Sequence, residues 1–433
     1  MELKRFLRLG MFQLAAGGLS VLFLGVLNRV MRVELGLELL TVSTLIGGGH
    51  YLGALIAIPF GYYSDQHPLG GFRRSSYIFL GSLVTAWVLV FSPAVAGWIA
   101  DSPQLPRLVP GFLFFLAEGI STYIAGTAFL SLITDLTDPD QRGQVTGWIW
   151  TLLMVGIILT GILSGFVLDP FQIGRVRSLF IISAVTAVVL TLIALWGQEQ
   201  PLREPLETAQ QDIRKALRQI GKLRSARWFA GFLFLSMFSY FMQDVLLEPF
   251  GGEVLGLPAA ATTRFNAYLG VGLVGAMLLG GMRLIPKKGK IWTTSVGIVL
   301  MVVSFGGLAA VSILVYPRPV PLILLGLGTG AGFFTVGGVS LMMDMSSSAQ
   351  TGLFVGAWTL IQALAKGPTS IVGGALQTGL VSLGLSPGGA YAGVFLIEAA
   401  GLLVSLVFLH QVALDEFRDQ TAHFGQAAAE SLG

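Results

Sequence analysis

The chain has 433 residues, of which 54% are hydrophobic and 11% are charged, whereas charged residues make up about a quarter of an ordinary soluble protein. Its formal net charge of +3 is too small for the cationic surface that nucleic-acid binding requires, so that class of function is excluded as a leading interpretation. The absence of cysteine excludes disulfides, thiolate metal sites and cysteine nucleophiles. What remains is a protein of the membrane.

Twelve apolar segments follow one another along the chain, each about 20 residues long, the length that a helix needs to cross about 30 Å of hydrocarbon. They lie at residues 9–31, 41–63, 75–99, 109–134, 144–168, 176–197, 228–250, 262–284, 291–316, 320–343, 352–376 and 389–412. Because a helix satisfies its own backbone hydrogen bonds where lipid offers none, these segments predict an all-α polytopic membrane protein with 12 transmembrane helices. Basic residues near span ends favour the cytoplasm, and 18 of the 26 Lys and Arg fall on the side of both termini, which are therefore predicted to be cytoplasmic.

Six polar or charged residues interrupt the first, second and fourth spans or follow them directly. They are Gln13, Asn28, Arg29 and Glu34 in and after span 1, His50 in span 2 and Glu118 near the middle of span 4. Since a charge at the centre of a span costs about 2.5–3.5 kcal/mol on insertion scales, each is expected to be paired or to face a cavity. His50 follows three glycines, so it is interpreted either as hydrogen-bonded to a neighbouring helix or as facing a flat ligand that approaches over them.

Two short loops of the first half carry charges of opposite sign at successive helix ends. Asp65 precedes Arg73 and Arg74 between spans 2 and 3, and Asp135 precedes Arg142 between spans 4 and 5. A carboxylate and a guanidinium in such positions form charge-assisted hydrogen bonds that hold neighbouring helices together. These five residues are predicted to form a cytoplasmic latch.

Residues 198–227 form the longest polar stretch and separate six spans from six. Apolar residues recur in it every three or four positions, from Leu206 to Ile220, and Arg and Lys occupy positions between them. This periodicity predicts an amphipathic helix on the cytoplasmic membrane surface. The chain is therefore predicted to comprise an N-terminal six-helix bundle at 1–197, this linker, and a C-terminal six-helix bundle at 228–433.

The second half carries charged residues in four of its spans. Asp244 and Glu248 lie one turn apart near the end of span 7, with Arg264 at the start of span 8, and the three are interpreted as an outer gate or as solvated rim residues. Lys366 and Glu398, near the middle of spans 11 and 12, are predicted to form an intramembrane ion pair, with a role facing a cavity as the alternative. The four histidines show no spacing typical of a catalytic metal site, and no phosphate loop or nucleophile elbow is present, so neither a metal ion nor an enzymatic activity is predicted.

The two halves repeat each other at a constant distance along the chain. Ser131, Asp135, Gly143 and Gly165 recur as Ser340, Asp344, Gly352 and Gly374, always 209 residues later. A constant offset across two spans predicts duplication of a six-helix unit. Together with the two charged loops, this arrangement resembles the major facilitator superfamily, which implies two pseudo-symmetric six-helix bundles around a central cleft. The C-terminal loops depart from the superfamily pattern, because Arg283, Lys287 and Lys288 have no acidic partner like Asp65.

Three further motifs narrow the resemblance. They are Arg8-Leu9-Gly10-Met11-Phe12-Gln13, then Leu27-Asn28-Arg29-Val30-Met31 followed by Val33-Glu34-Leu35-Gly36, and Ser64-Asp65-Gln66-His67 before Phe72-Arg73-Arg74. With these motifs the chain resembles the PucC/LhaA family, the bacteriochlorophyll-delivery branch of the superfamily, over essentially all twelve spans. The resemblance implies a non-enzymatic assembly factor of a thylakoid or photosynthetic inner membrane, which delivers (bacterio)chlorophyll to light-harvesting polypeptides or holds them during pigment insertion.

The resemblance also gives the polar residues of the first half a role. A chlorophyll magnesium takes one axial donor. The pigment-binding candidates are therefore Gln13, Asn28, Arg29, Glu34, His50 and Glu118. The short loops and the segment 137–143 resemble the cyanobacterial branch of the family, which favours chlorophyll a as the pigment. The implied partners are membrane lipids and small one- or two-helix antenna or chlorophyll-binding proteins.

Two other functions fit the same sequence. One is a secondary transporter of a small solute, with proton coupling through Glu118, Asp244 or Glu398 as an option. The other is a scaffold for photosystem assembly that binds antenna protein without stoichiometric pigment. A visible absorption spectrum of the purified protein separates them from the assembly factor, because only that function predicts bound pigment.

Overall fold

A computed structural model describes residues 3–55, 67–137, 142–199, 221, 223–345 and 351–413, and these residues are almost entirely helical. Where segments that adjoin end to end are taken as one helix, the described chain forms twelve: α1 Arg5–Glu34, α2 Leu39–Leu55, α3 Ser75–Ala100, α4 Leu105–Leu136, α5 Arg142–Val167, α6 Ile173–Leu195, α7 Arg224–Glu253, α8 Ala259–Lys288, α9 Lys290–Leu314, α10 Val320–Asp344, α11 Thr351–Ser382 and α12 Pro387–His410. We call the end of the bundle where α1 begins and α12 ends the terminal face, and the opposite end the distal face.

Ten of the described helices are long and apolar enough to cross a membrane, which confirms the prediction of a polytopic, all-helical membrane protein. The other two are α2, which is followed as far as Leu55, and α11, whose 32 residues exceed the roughly 20 that a span needs. Most of the predicted linker at 198–227 lies outside the described residues, as do Asp65 and the side chain of Arg142. The amphipathic linker helix and the latch role of these two residues therefore stay predictions.

Helix packing divides the described chain into two groups with the same internal arrangement. In the first group α1 packs on α5 and α6, and α3 packs on α4 and α6. In the second group α7 packs on α11 and α12, and α9 packs on α10 and α12, which are the equivalent pairs six helices later. Each group has its own apolar core, built around Phe115 and Phe180 in the first and around Phe232 and Phe395 in the second. The architecture is two pseudo-symmetric six-helix bundles.

The two bundles meet along two equivalent helix pairs, α2 with α11 and α5 with α8. Gly374 of α11 lies so close to α2 that a Cβ there would come within 2.7 Å of the Cβ of Ser43. Gly165 of α5 is its equivalent in the sequence repeat, and a Cβ there would come within 2.9 Å of the Ala260 carbonyl oxygen of α8. Small residues allow this close approach between helices in a membrane. The repeated glycines thus set the spacing between the bundles at both contacts.

A proline in α7 creates a further bond between the bundles. Pro249 has no N–H, so the carbonyl of Val245, four residues earlier, has no donor within its own helix. This carbonyl accepts a hydrogen bond from Asn28 Nδ2 of α1 at 2.9 Å. Asn28 Nδ2 and the Val245 carbonyl therefore satisfy each other across the interface, whereas the buried Asn28 Oδ1 has no partner among the described residues.

Ion pairs at the terminal face join equivalent helix pairs in both bundles. Arg73 and Arg74 at the start of α3 contact Asp135 at the end of α4, with N···O distances of 2.6 and 3.4 Å. Lys290 at the start of α9 contacts Asp344 at the end of α10 at 2.7 Å. Since Asp135 and Asp344 are equivalent positions of the repeat, the second bundle retains an ion pair that its loop pattern did not predict.

Candidate functional site

His50 of α2 and Glu118 of α4 form a buried hydrogen-bonded pair, about 16 Å along α2 from the distal face. The distance from His50 Nδ1 to Glu118 Oε2 is 2.8 Å, and the two residues are 7% and 4% exposed. Thr122 Oγ1 donates to the second carboxylate oxygen at 2.9 Å, so both oxygens of Glu118 have partners. Thr122 also contacts Thr85 Oγ1 of α3 at 3.0 Å, which ties the pair to a third helix.

Aromatic rings from three helices surround the His50 imidazole. The ring centroids of Tyr51, Tyr123 and Phe23 lie 5.1, 5.4 and 6.0 Å from that of His50. Phe115 lies behind Phe23, with 5.8 Å between their centroids. Flat apolar walls with one or two polar groups at fixed positions are typical of sites for planar organic ligands.

The glycines that precede His50 are packed against neighbouring helices. A Cβ at Gly47 would come within 2.8 Å of Val245 Cγ1 of α7, and a Cβ at Gly49 within 3.0 Å of the Phe115 backbone of α4. In this conformation helix packing occupies the space next to these glycines, and the approach of a flat ligand to His50 stays a prediction. They allow close helix packing, and the hydrogen bond to a neighbouring helix is the alternative that His50 adopts.

Asp244 of α7 joins the two bundles beside this pair. Its carboxylate accepts hydrogen bonds from the Tyr51 hydroxyl of α2 and, at 2.5 Å, from Gln243 Nε2. Because Tyr51 directly follows His50, the contact places the imidazole next to the second bundle. Separation of α2 from α7 therefore breaks the bond between Tyr51 and Asp244.

Lys366 and Glu398 do not form the predicted ion pair. The Lys366 ammonium lies over the Phe241 ring of α7, with Nζ 3.8 Å from the centroid. Glu398 is completely buried, and within the described part of the chain neither of its carboxylate oxygens has a hydrogen-bond partner. The prediction is wrong because a sequence indicates depth along a helix, whereas the rotation that directs each side chain depends on how the helices pack.

Polar residues also close the distal face. Arg32 at the end of α1 donates to both carboxylate oxygens of Glu253 at the end of α7, with 2.9 Å between Arg32 Nε and Glu253 Oε2. The Tyr391 hydroxyl of α12 donates to the same carboxylate at 3.0 Å. The Arg32 and Glu253 side chains are 18% and 21% exposed, so water screens this contact only partly.

Arg29 lies one turn before Arg32 in α1 and also contacts the second bundle. Its guanidinium pairs with Glu34 at 2.6 Å and donates to the Leu257 carbonyl, between α7 and α8, at 3.0 Å. The same part of α1 is wound in π-helical turns at Val21–Leu27 and Val30–Glu34, a form that is frequent at functional sites. We call the set Arg29, Arg32, Glu34, Glu253 and Tyr391 the distal network.

The three residues interpreted as an outer gate lie apart. Asp244 faces α2, as described above. Glu248 accepts a hydrogen bond from Asn266 Nδ2 of α8 at 2.7 Å, and Arg264 lies over the Phe166 ring of α5, 5.4 Å from its centroid. The contacts that close the distal face are those of the distal network. A gate formed jointly by Asp244, Glu248 and Arg264 stays a prediction.

The six pigment-binding candidates occupy three places in the fold. They are Gln13 in the terminal half of α1, Asn28, Arg29 and Glu34 at its distal end, and His50 and Glu118 at mid-depth. Glu34 is exposed, whereas the other five are buried. A ligand that reaches any of the five therefore enters between helices.

Comparison with known proteins places the chain among relatives of similar length. A family model described as PUCC protein matches residues 26–417. The chain is 32% identical to the bacteriochlorophyll synthase 44.5 kDa chain of Rhodobacter capsulatus, with 92% of each chain covered. It is 30% identical to protein PucC of Cereibacter sphaeroides, with 94% of this chain and 92% of that protein covered.

The fold is shared with a solved transporter. The chain superposes on the crystal structure of a D-xylose-proton symporter with a TM-score of 0.73 and 15% identity, covering 95% of this chain and 98% of the symporter. At this identity the likeness shows the fold alone. The two six-helix bundles have the major facilitator fold.

Proposed function

The chain belongs to the PUCC protein family, and from this membership we propose that it is a membrane assembly factor that binds bacteriochlorophyll. It delivers the pigment to light-harvesting polypeptides or holds them while the pigment is inserted. Support comes from the extent of the family match and from the relative that is named as a bacteriochlorophyll synthase chain. We propose that the chain itself catalyses no reaction, since its sequence carries no enzyme motif.

The observation that carries this proposal is the polar cluster buried between apolar helices. Polar groups inside a membrane are costly, and those that persist mark binding sites or pathways. His50 offers a donor for magnesium beside flat aromatic rings, and Tyr51 and Asp244 link this donor to the second bundle. When bound, the pigment would supply a magnesium ion that accepts a donor, and His50 is the residue that would hold it. The chain binds and orients the pigment and keeps water away from it.

The proposed pigment and partners rest on the same family membership. We propose bacteriochlorophyll, because it is the pigment in the relative's name, and that name gives no support to chlorophyll a. The proposed partners are membrane lipids and small one- or two-helix antenna proteins.

The excess of Lys and Arg supports a cytoplasmic terminal face in a thylakoid or photosynthetic inner membrane. The division into bundles at 1–197 and 228–433 with a linker at 198–227 belongs to the same proposal. The observed packing of α1–α6 and α7–α12 into separate groups supports it.

Purification in mild detergent from a host that makes bacteriochlorophyll tests the proposal. We expect pigment absorption to copurify with the folded protein at a constant ratio of pigment to protein. An unrelated polytopic protein prepared from the same host is the control and should be colourless. Folded but colourless protein would contradict pigment binding, and antenna protein that copurifies without pigment would favour a scaffold.

A second candidate function is a secondary transporter of a small solute. The fold shared with a proton symporter favours it, as does the fully buried Glu398 carboxylate, because such groups serve in proton relays. In vesicles that contain a pH-sensitive dye and are offered sugars, nucleosides and peptides, this function predicts proton uptake that Glu398→Gln abolishes. Uptake that is unchanged in this variant, or absent in the unaltered protein, argues against it.

A further inference from the structure

We propose that His50 binds the magnesium of the pigment through Nε2, and that Glu118 positions the imidazole without contacting the metal. The inference rests on the proposed function and names the donor that holds the pigment. It starts from the hydrogen bond of 2.8 Å between His50 Nδ1 and Glu118 Oε2.

The contact with Glu118 occupies one of the two ring nitrogens of His50. Thr122 Oγ1 donates to Oε1 at 2.9 Å, and His50 Nδ1 lies 2.8 Å from Oε2. Nε2 is the nitrogen left for a ligand, and the proposal requires the tautomer in which Nδ1 carries the proton and Nε2 has a free lone pair. Histidines that bind metals are commonly oriented in this way, by a carboxylate on the other ring nitrogen.

A single oriented imidazole suits a metal that brings its other ligands with it. Among the residues that the structure describes, no group of three or more His, Cys, Asp or Glu side chains is placed to hold a metal ion. A free zinc or calcium ion takes several such donors. The magnesium of a tetrapyrrole brings its ring ligands with it and needs one further donor. His50 Nε2 would supply that donor.

The other candidate residues are placed less favourably than His50. Asn28 Nδ2 is held against the Val245 carbonyl at 2.9 Å, and Asn28 Oδ1, which is buried and has no partner among the described residues, is the donor that competes with His50. Arg29 is a cation and offers no lone pair to a metal, and it pairs with Glu34 at 2.6 Å. Gln13 lies about 15 Å before Phe23 in the same helix, away from the aromatic rings.

Pigment binding must open the site. The imidazole is 7% exposed and stands among the rings of Tyr51, Tyr123 and Phe23. Tyr51 is held by Asp244 of the second bundle. Access to Nε2 would therefore require Tyr51 to leave Asp244, which would couple pigment loading to separation of α2 from α7.

Nitrogen-15 NMR of protein labelled at histidine tests the assignment directly at the ring nitrogens. The chain has four histidines, so few imidazole resonances overlap. Loading with bacteriochlorophyll should shift one Nε2 resonance through coordination to magnesium, and that resonance should be absent from His50→Ala. A loaded wild-type protein with no shifted Nε2 resonance would overturn the inference.

Pigment content of variants gives a second measurement. We expect His50→Ala to bind at least about ten-fold less bacteriochlorophyll than the wild type, and added imidazole to restore binding. Glu118→Gln should weaken pigment binding by about 10- to 100-fold. His410→Ala is the matched control and should leave the pigment content unchanged. His410 is exposed at the end of α12, with Nδ1 2.8 Å from the Leu406 carbonyl oxygen.

Failure of this inference is distinguishable from failure of the proposed function. If His50→Ala unfolds at the wild-type temperature and binds as much pigment, His50 is not the ligand, while pigment binding stands. The assignment would also be overturned if His50→Ala kept the wild-type pigment content and Asn28→Ala lost the shifted resonance. Wild-type protein that binds no bacteriochlorophyll would refute the proposed function itself.

Discussion

Lys366 shows how a charged residue is accommodated in a membrane helix without an ion pair. Its ammonium lies 3.8 Å from the centre of the Phe241 ring. A desolvated cation over an aromatic face gains about 2 kcal/mol, which offsets much of an insertion cost of about 2.5–3.5 kcal/mol. Asp244, one turn along the same helix as Phe241, adds electrostatic attraction. The ring and the carboxylate of α7 together hold the cation of α11.

A double-mutant cycle distinguishes this arrangement from an ion pair. We expect Lys366→Met and Phe241→Leu to couple by about 1–2 kcal/mol, because the two side chains touch. The effects of Lys366→Met and Glu398→Gln on the free energy of unfolding should be additive within about 0.5 kcal/mol. The measurement is the free energy of unfolding in mixed micelles at increasing dodecyl sulfate. Coupling of similar size between Lys366 and Glu398 would show that they pair after all.

The pair of His50 and Glu118 marks how far single residues are predictable. Each is recognisable in the sequence, because a polar group in an apolar span needs a partner or a cavity. Their mutual hydrogen bond is not, since 68 residues separate them and only packing of α2 on α4 brings them together. Tyr51 and Thr122 complete the cluster and carry no sequence pattern, because their side chains are ordinary in membrane helices.

The contact between α2 and α11 depends on a glycine that the sequence repeat identifies. Gly165 and Gly374 are equivalent in the repeat, and each lies where its bundle touches the other. The offset predicts that the two positions are equivalent. It does not predict what they touch, because contact between bundles is a property of the assembled helices.

A glycine substitution tests this contact at the level of the helix pair. Gly374→Ala should lower the free energy of unfolding by about 1–3 kcal/mol, because its Cβ meets the Ser43 side chain. Gly379→Ala on the same helix is the control, since a Cβ there meets no atom within 4 Å, and it should be neutral or slightly stabilising. Adding Ser43→Gly should recover part of the loss in Gly374→Ala. Equal thermal stability of the two alanine variants would contradict the close contact.

The whole molecule is closed on its distal side by bonds between the bundles. Arg32 meets Glu253, Arg29 meets the Leu257 carbonyl, and Tyr51 meets Asp244 nearer to mid-depth. The twelve spans and the duplication that underlie this architecture are readable from hydropathy and a constant offset. The distal network is not, because Arg32 and Glu253 are 221 positions apart and meet only when both bundles have assembled.

A cysteine pair across the distal face tests this closure, since the chain contains no cysteine of its own. A Cβ at Gly252 would lie 2.7 Å from Val33 Cγ2, where a cysteine sulfur at position 33 would stand. The double variant Val33→Cys with Gly252→Cys should therefore crosslink readily under mild oxidation, as shown by altered gel mobility that reductant reverses. Under the proposed function the oxidised form should load less bacteriochlorophyll than the reduced form. Either single variant is the control and should load equally in both conditions.

The carbonyl of Val245 depends on α1 for its hydrogen bond, because Pro249 removes the donor that an uninterrupted helix would provide. When the two helices part, Asn28 leaves with α1 and the peptide oxygen meets whatever fills the gap. Its stretching frequency changes with that partner. Carbon-13 and oxygen-18 placed at this one peptide group would thus let infrared spectroscopy follow the parting of the bundles in real time, with no probe larger than the native atoms.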